Sequence, residues 1–241
     1  MKLFPLGDAA IVVELGSVIN EETHCKVRAL SEYLTRHPLP GMIEYIPAFT
    51  TVTVFYDPCR VLANSGAETK TFVSPYQKMR AMLENILSEL QDKTVEKTRV
   101  IEIPVCYGGE FGPDLGFVAE HNGLTPEDVI RIHSSAEYLV YMIGFAPGFP
   151  YLGGMPEQIA TPRRSSPRLS IPVGSVGIAG KQTGVYPIAT PGGWQLIGRT
   201  PLPLFMPDSD PPTPLKAGDR IRFRAISRQE YDEWKERGAC G

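Results

Sequence analysis

Between residues 141 and 200 the chain places 11 Gly and 8 Pro in 60 positions. Glycine opens the positive-φ region, proline fixes φ, and neither suits the interior of a helix. A stretch so punctuated turns often, so its regular elements must be short. A helical bundle is excluded for this half, and a β-rich barrel or sandwich is favoured. The whole 241-residue chain has 23 of each residue, so the enrichment belongs to this block.

The same block is basic. Arg163, Arg164, Arg168, Lys181 and Arg199 stand against one acid, Glu157, which is five minus one, or +4. The chain as a whole carries −3, so the remainder sums to −7. The asymmetry points to an anionic ligand or an acidic partner surface, with a solvated basic face as the plain alternative. The overall acidity excludes a broadly basic nucleic-acid-coating protein, so no nucleic acid is expected as a partner. No apolar run reaches the roughly 18 residues of a membrane span, so no membrane is expected either. The start, MKLFPLGDAAIVVELG, has one Lys, an early Pro and Asp8, and reads as a first strand rather than a secretory signal. Cys25, Cys59, Cys106 and Cys240 are scattered without a C-x-x-C. Neither a disulfide framework nor a zinc site is expected, and free thiols fit a cytoplasmic protein.

The first hundred residues are patterned differently. Ala10 to Leu15 is a short β-branched run. Residues 21–37 set Cys25, Val27, Leu30, Tyr33 and Leu34 at helical spacing and stop before Pro38, with His24 and His37 flanking a surface helix. Residues 42–47 and 50–56 read as strands. Ser74 and Pro75 supply an N-cap and a first-turn proline for a helix over 74–91, whose Met79, Met82, Leu83, Ile86, Leu87 and Leu90 share one face. Residues 98–105 alternate as a strand. The order βαββαβ predicts a ferredoxin-like α+β sandwich. The polar stretch 92–99 marks the division, giving domains 1–97 and 98–241. Beyond it, helices are expected over 113–121 and 125–134, the second with Thr125, Pro126 and Asp128 as its start signal.

Several catalytic signatures nearly fit and fail. The run from Ser175 to Gln182 approaches a phosphate loop, but Ser175 stands where Gly is needed and Gln182 where Ser or Thr is needed. Around Ser175 the G-x-S-x-G frame is absent, because Val173 takes the first glycine's place. His24, His37, His121 and His133 never lie four apart, and His121 and His133 sit near helix ends, where an imidazole can cap carbonyls. No metal site is expected. The basic block holds no His at all, so its chemistry would use Arg, Lys, Gln, Tyr and backbone amides. Such groups position and stabilise anions better than they abstract protons.

Two long runs carry a resemblance. YMIGFAPGFPYLGGMP and TPRRSSPRLSIPVGSVGIAGKQTGVYPIATPGGWQLIGRTPLPLF, with GDAAIVVELG and IPVCYGGEFGPDL before them, resemble the family of allophanate hydrolase subunit 1 and KipI, also known as PxpB, the B-type subunit of 5-oxoprolinase. The resemblance covers essentially the whole chain. It implies a ferredoxin-like N-terminal domain and a C-terminal cyclophilin-like β-barrel domain, an α+β part followed by a mainly β part. It implies a partner of the allophanate hydrolase subunit 2, KipA or PxpC type, and a PxpA-type third protein. The implied reaction is the ATP-dependent opening of 5-oxoproline to L-glutamate, with ATP and Mg in the assembled complex and no tightly bound cofactor in this chain.

That chemistry gives the basic block a use. A lactam is a poor electrophile, and phosphorylating its oxygen makes a leaving group, which needs cations around dispersed charge. A substrate carboxylate suits Arg. On this reasoning Arg168, Lys181 and Gln182 are the candidate catalytic residues, and Gln195, Arg199, Tyr186, Arg163 and Trp194 the candidate substrate contacts. Arg163 and Arg164 are adjacent, so on a strand only one would face a pocket. Trp194 and the run from Pro147 to Tyr151 read as readily as core and barrel architecture.

Three functions compete: a 5-oxoprolinase subunit, inactive alone; an inhibitor that binds a sporulation sensor histidine kinase and blocks its autophosphorylation; and an allophanate or urea pathway subunit. The length of the chain, without a biotin-carrier or amidase segment, is expected to disfavour the third. The polar, basic block ranks the first ahead of the second, because a kinase-docking face would carry aromatic anchors, a part that Phe145, Phe149, Tyr151 and Trp194 could also play. Prolyl isomerase activity would rest on fold analogy alone.

Overall fold

A computed structural model describes residues 1–63, 74–90 and 99–239, with side chains as far as 237. The dividing stretch 92–99, apart from Arg99, and Cys240 lie outside the described residues. The chain forms two compact units, Met1–Lys97 and Thr98–Gly241.

The first unit runs β1 (Lys2–Pro5), β2 (Ala10–Glu14), α1 (Glu21–Arg36), β3 (Met42–Pro47), β4 (Thr51–Tyr56), α2 (Pro58–Ala63) and α3 (Pro75–Leu90). Its starts are written locally. Asn20 accepts the Thr23 N–H at 2.8 Å ahead of α1, whose first turn carries Glu21 and Glu22. Before α3, the Ser74 hydroxyl accepts the Gln77 N–H and the Gln77 side chain accepts the Ser74 N–H in return. Strand alternation buries Ile11 and Val13 with Val52, Val54 and Tyr56 against Val27, Leu30, Leu34, Met79 and Leu83. His24 is in this interior, 2% exposed, while Cys25 next to it is exposed, so the buried stripe of α1 is turned from the one its cysteine indicates.

The sheet order is β1-β2-β4-β3, every neighbour antiparallel. This is the ferredoxin-like arrangement with one strand supplied differently. The expected last strand was residues 98–105, but β5 (Val100–Tyr107) belongs to the second unit. The vacant edge is taken by β1, which folds back on β2 through a turn at Gly7, φ +64°.

The second unit continues with α4 (Leu115–His121), α5 (Pro126–Ser135), β6 (Glu137–Ile143), β7 (Pro150–Gly153), β8 (Arg168–Ile171), β9 (Ser175–Ala179), β10 (Gln182–Val185), β11 (Thr190–Gly192), β12 (Gln195–Arg199), β13 (Arg220–Ala225) and α6 (Arg228–Ala239). Seven strands lie in the order β10-β9-β12-β5-β13-β6-β7, and the two edge strands β10 and β7 come against each other, so the sheet nearly closes into a barrel. β8 and β11 make a separate two-stranded sheet. The fold class is therefore the α+β unit and mainly β barrel unit that the sequence implied. On β13 the alternation is plain: Ile221 and Phe223 are buried, while Arg222 pairs with Glu137 and Arg224 with Glu102. α5 starts on the Thr125–Asp128 capping box, and α2 and α6 are additions to the expected elements.

His133 does not cap a helix end. It is fully buried, stacked on Phe223 with ring centroids 4.4 Å apart. Its Nε2 lies 2.8 Å from the Thr183 hydroxyl, which donates to the Gly177 carbonyl, so Nε2 carries the proton. Its Nδ1 lies 2.7 Å from the Tyr107 hydroxyl, which burial keeps protonated, so Nδ1 accepts. The imidazole is neutral and fully satisfied, with burial pushing its pKa down to about 3.

Candidate functional site

In the second unit a cavity of about 180 Å³ opens where the loop 144–149, the start of β10 and the segment 190–194 meet. Its wall is aromatic. Phe149 is the hub, edge-to-face with Phe145 at 5.5 Å, Tyr151 at 5.4 Å, and Tyr186 and Trp194 each at 5.8 Å. Quadrupoles favour such T-shaped pairs, so the rings hold one another in place. Arg163 and Gln182 add polar ends, and among the described residues no acidic side chain lines the cavity.

Glycine makes two of these approaches possible. Gly148 has φ +80°, and a Cβ there would come within 2.5 Å of the Leu204 carbonyl oxygen. A Cβ on Gly192 would come within 2.7 Å of the Tyr186 hydroxyl. Gly148→Ala is expected to cost about 2 kcal/mol, from the left-handed backbone and the carbonyl clash together, and to shift Phe149. Thermal unfolding measures the cost, and a change in Trp194 emission in the native protein reports the shift.

Phe145 is a non-glycine residue at φ +67° with 70% of its surface exposed. That backbone costs about 1–2 kcal/mol in an L-residue. Hydrogen bonds impose it: Gly144 N–H to the Phe149 carbonyl, Ala146 N–H to the Gly144 carbonyl, and Phe149 N–H to the Ala146 carbonyl. The result stands a phenyl ring at the cavity mouth.

Behind the wall lies a buried carboxylate. Asp114, 6% exposed, precedes α4. Its Oδ1 accepts from Arg164 Nη1 at 3.0 Å and Arg168 Nη2 at 2.8 Å, and its Oδ2 from the Leu196 N–H at 2.7 Å. Arg168 also donates to the Trp194 carbonyl at 3.3 Å, and the Arg164 N–H to the Gly193 carbonyl at 2.7 Å. One acid thus ties the arginine segment to the tryptophan segment.

The structure distributes the candidate residues over several places. Arg163, Gln182, Tyr186 and Trp194 come together around the cavity. Arg168 lies behind the wall and holds it through Asp114. Gln195 is buried, its amide donating to the Pro162 carbonyl at 2.9 Å. Arg199 sits elsewhere, its guanidinium 4.7 Å over the Phe111 ring, a ring that Arg228 covers at the same distance. Lys181 follows Gly180 between β9 and β10, more than two-thirds exposed, and pairs with Glu157 at 2.6 Å. Of the adjacent arginines, Arg163 faces the cavity and Arg164 faces Asp114. Phe145, Phe149, Tyr151 and Asp114 complete the arrangement. Asp114 had no local signal: it lies well before the basic block, with four other acids in between, and its partners are about 50 and 80 residues away.

The electrostatics are one-sided. Arg163, Arg164 and Arg168 against Asp114 leave three charges minus one around the wall. Burial pushes the Tyr186 hydroxyl up to about 12, with Arg163 and Arg168 pulling the other way, so it is a neutral donor at pH 7. No lining group is a base poised near neutrality. The cavity can grip and orient an anion; proton transfer must come from elsewhere.

A two-unit protein with such a barrel matches a known class. The family described as carboxyltransferase domain, subdomain C and D, covers residues 1–215. The crystal structure of TTHA0988 superposes on 90% of this chain with a TM-score of 0.75 and 35% identity, and this chain spans 40% of that one. The chain is 54% identical to the B-type 5-oxoprolinase subunit of Bacillus subtilis (strain 168), over 96% of its own length and 95% of the relative's. It is 44% identical to the B-type 5-oxoprolinase subunit of Escherichia coli O157:H7, over 92% and 94%. The chain therefore belongs to the carboxyltransferase C and D family and, within it, to the group of B-type 5-oxoprolinase subunits that its motifs resemble.

Proposed function

We propose that the chain is a subunit of an ATP-dependent 5-oxoprolinase that opens 5-oxoproline to L-glutamate, and that it is catalytically silent alone. The observation that carries this reading is 54% identity to a B-type 5-oxoprolinase subunit along 95% of that protein. The cavity supports it, because it offers one cation and neutral donors but no base or nucleophile–base pair. A ring that must be activated and hydrolysed needs groups this cavity lacks, so the partners, of PxpC and PxpA type, supply them.

Among the described residues no three His, Cys, Asp or Glu side chains cluster to hold a metal ion. On this reading ATP and Mg act in the assembled complex, and no step is routed through them here.

Reconstitution tests the proposal. Glutamate formed from 5-oxoproline is measured with and without ATP, omitting one protein at a time. Activity is expected only with all components and ATP. Robust glutamate release by this chain alone would overturn its silence. A complex that assembles yet makes no glutamate would overturn the metabolic reading and turn attention to kinase autophosphorylation.

A further inference from the structure

We propose that the aromatic cavity of this chain, rather than a partner, holds the cyclic substrate: a five-membered cyclic amide bearing a carboxylate, its ring on Phe149 and Trp194, its carboxylate on Arg163 and its amide on Gln182. The inference rests on the 5-oxoprolinase reading and adds to it where the substrate sits and what selects it.

Size limits the occupant first. About 180 Å³ is on the order of six water volumes and lies below the roughly 300–1,000 Å³ of clefts that take drug-sized ligands. A single small ring fits.

Polarity comes second. The Arg163 guanidinium and the Gln182 amide make no hydrogen bond or ion pair to any described residue, although neighbouring Arg164, Arg168 and Gln195 are all engaged. The Tyr186 hydroxyl likewise has no hydrogen bond to a described residue. Three unspent polar groups from two segments, Arg163 and the stretch from Gln182 on β10 to Tyr186 just past it, thus surround one apolar wall. A guanidinium without a counter-ion selects an anion, and its planar fork suits a carboxylate. A side-chain amide offers both a donor and an acceptor, which is what a cyclic amide's C=O and N–H need in return. The ring methylenes between these ends require an apolar surface, which Phe149 and Trp194 present.

Phe145 completes the selection. Its ring stands over the mouth in a backbone conformation that phenylalanine does not favour. Held there, it covers the ligand's outer face and excludes larger rings. It acts as a specificity-determining residue, and its position is kept against local backbone preference.

The test compares three small probes on the purified full chain, followed by Trp194 fluorescence and ligand-observed NMR: 5-oxoproline, 2-pyrrolidinone, which lacks the carboxylate, and proline, which lacks the ring carbonyl. 5-Oxoproline is expected to bind at least tenfold more tightly than either. Arg163→Ala should erase the advantage over 2-pyrrolidinone while leaving the melting temperature in place. Phe145→Gly should weaken 5-oxoproline binding about tenfold without lowering the melting temperature, because glycine suits that φ. In the reconstituted complex, Arg163→Ala should raise KM more than it lowers kcat.

Equal affinity for all three probes would overturn the inference, because the cavity would then be reading an apolar ring such as a partner's side chain. Absence of 5-oxoproline binding to the chain, with an active complex in which Arg163→Ala leaves KM unchanged, would place the substrate on a partner. That result would overturn the inference and leave the proposed function standing. An assembled complex inactive with the native chain would instead sink the functional reading itself.

Discussion

Asp114→Ala is expected to destabilise the unit Thr98–Gly241 by about 2–3 kcal/mol and to lower its melting temperature by roughly 5–10 °C. The carboxylate is buried and accepts three hydrogen bonds, two of them from guanidinium groups. Removing it leaves the Leu196 N–H unsatisfied and two arginines facing each other without a counter-charge. The expectation stays below the full cost of a broken buried pair, because the side chains of Arg164 and Arg168 are 36% and 22% exposed and water screens part of the repulsion. Arg164→Ala or Arg168→Ala should each cost less than Asp114→Ala, since one partner of the acid survives. Arg168→Ala should also loosen Trp194, whose carbonyl it holds. Thermal unfolding of the three variants checks the ranking. A loss for Asp114→Ala no greater than that for either arginine would show that the acid is not the centre of the network.

The second large effect is on acid stability, through His133. Its pKa in the folded protein, about 3, lies below the value near 6.5 of an exposed imidazole. The unfolded chain therefore takes up the proton first. The stabilising contribution is fully present above about pH 6.5 and is lost as the pH falls toward 3, at about 1.4 kcal/mol per unit. At pH 4.5 the loss is roughly 2–3 kcal/mol. Protonation inside the barrel would put an N–H on both ring nitrogens, against a Tyr107 hydroxyl already donating to one of them. The groups around the ring are Tyr107, Tyr138, Phe223 and Thr183, none of them ionised, so nothing offsets the charge.

Both tryptophans, Trp194 and Trp234, belong to the second unit, so denaturation followed by their emission reads this unit without His24 of the first. His133→Gln should be less stable at pH 7 but show a shallower fall between pH 6.5 and 4.5. Parallel falls of the native protein and the variant would refute the assignment.

Local signals marked the elements well where their cause is local. Asn20, Ser74 and the Thr125–Asp128 pair are capping residues whose partners lie three positions on, and α1, α3 and α5 begin at them. The strands β3 and β4 follow from short alternating runs. The α6 helix has a comparable start, with Ser227 and Glu230 exchanging bonds, but its charged face offers little apolar periodicity to read.

What escaped the sequence was allegiance. The alternation in residues 100–107 makes a strand, yet nothing local says which sheet it joins. It pairs in parallel with β13, about 120 residues on, rather than with the first unit. His133 reads as a helix-end residue by position. Its burial comes from Thr183 on β10 and Phe223 on β13, which close over it only once the barrel forms.

For the site, composition located the block and its charge, and the aromatic and polar residue types were visible in it. The roles were not. Arg163, Arg164 and Arg168 look alike in the sequence, but one faces a cavity and two are spent on Asp114. Lys181 and Gln182 are neighbours, but one projects into solvent beside Glu157 and the other lines the cavity. The sequence by itself determined that this half would be a turn-rich β structure with excess positive charge, because backbone freedom and formal charge are properties of each residue. Only the tertiary structure decided which cations are neutralised and which are left for a ligand, because pairing depends on partners brought within 3 Å from 50 or more positions away.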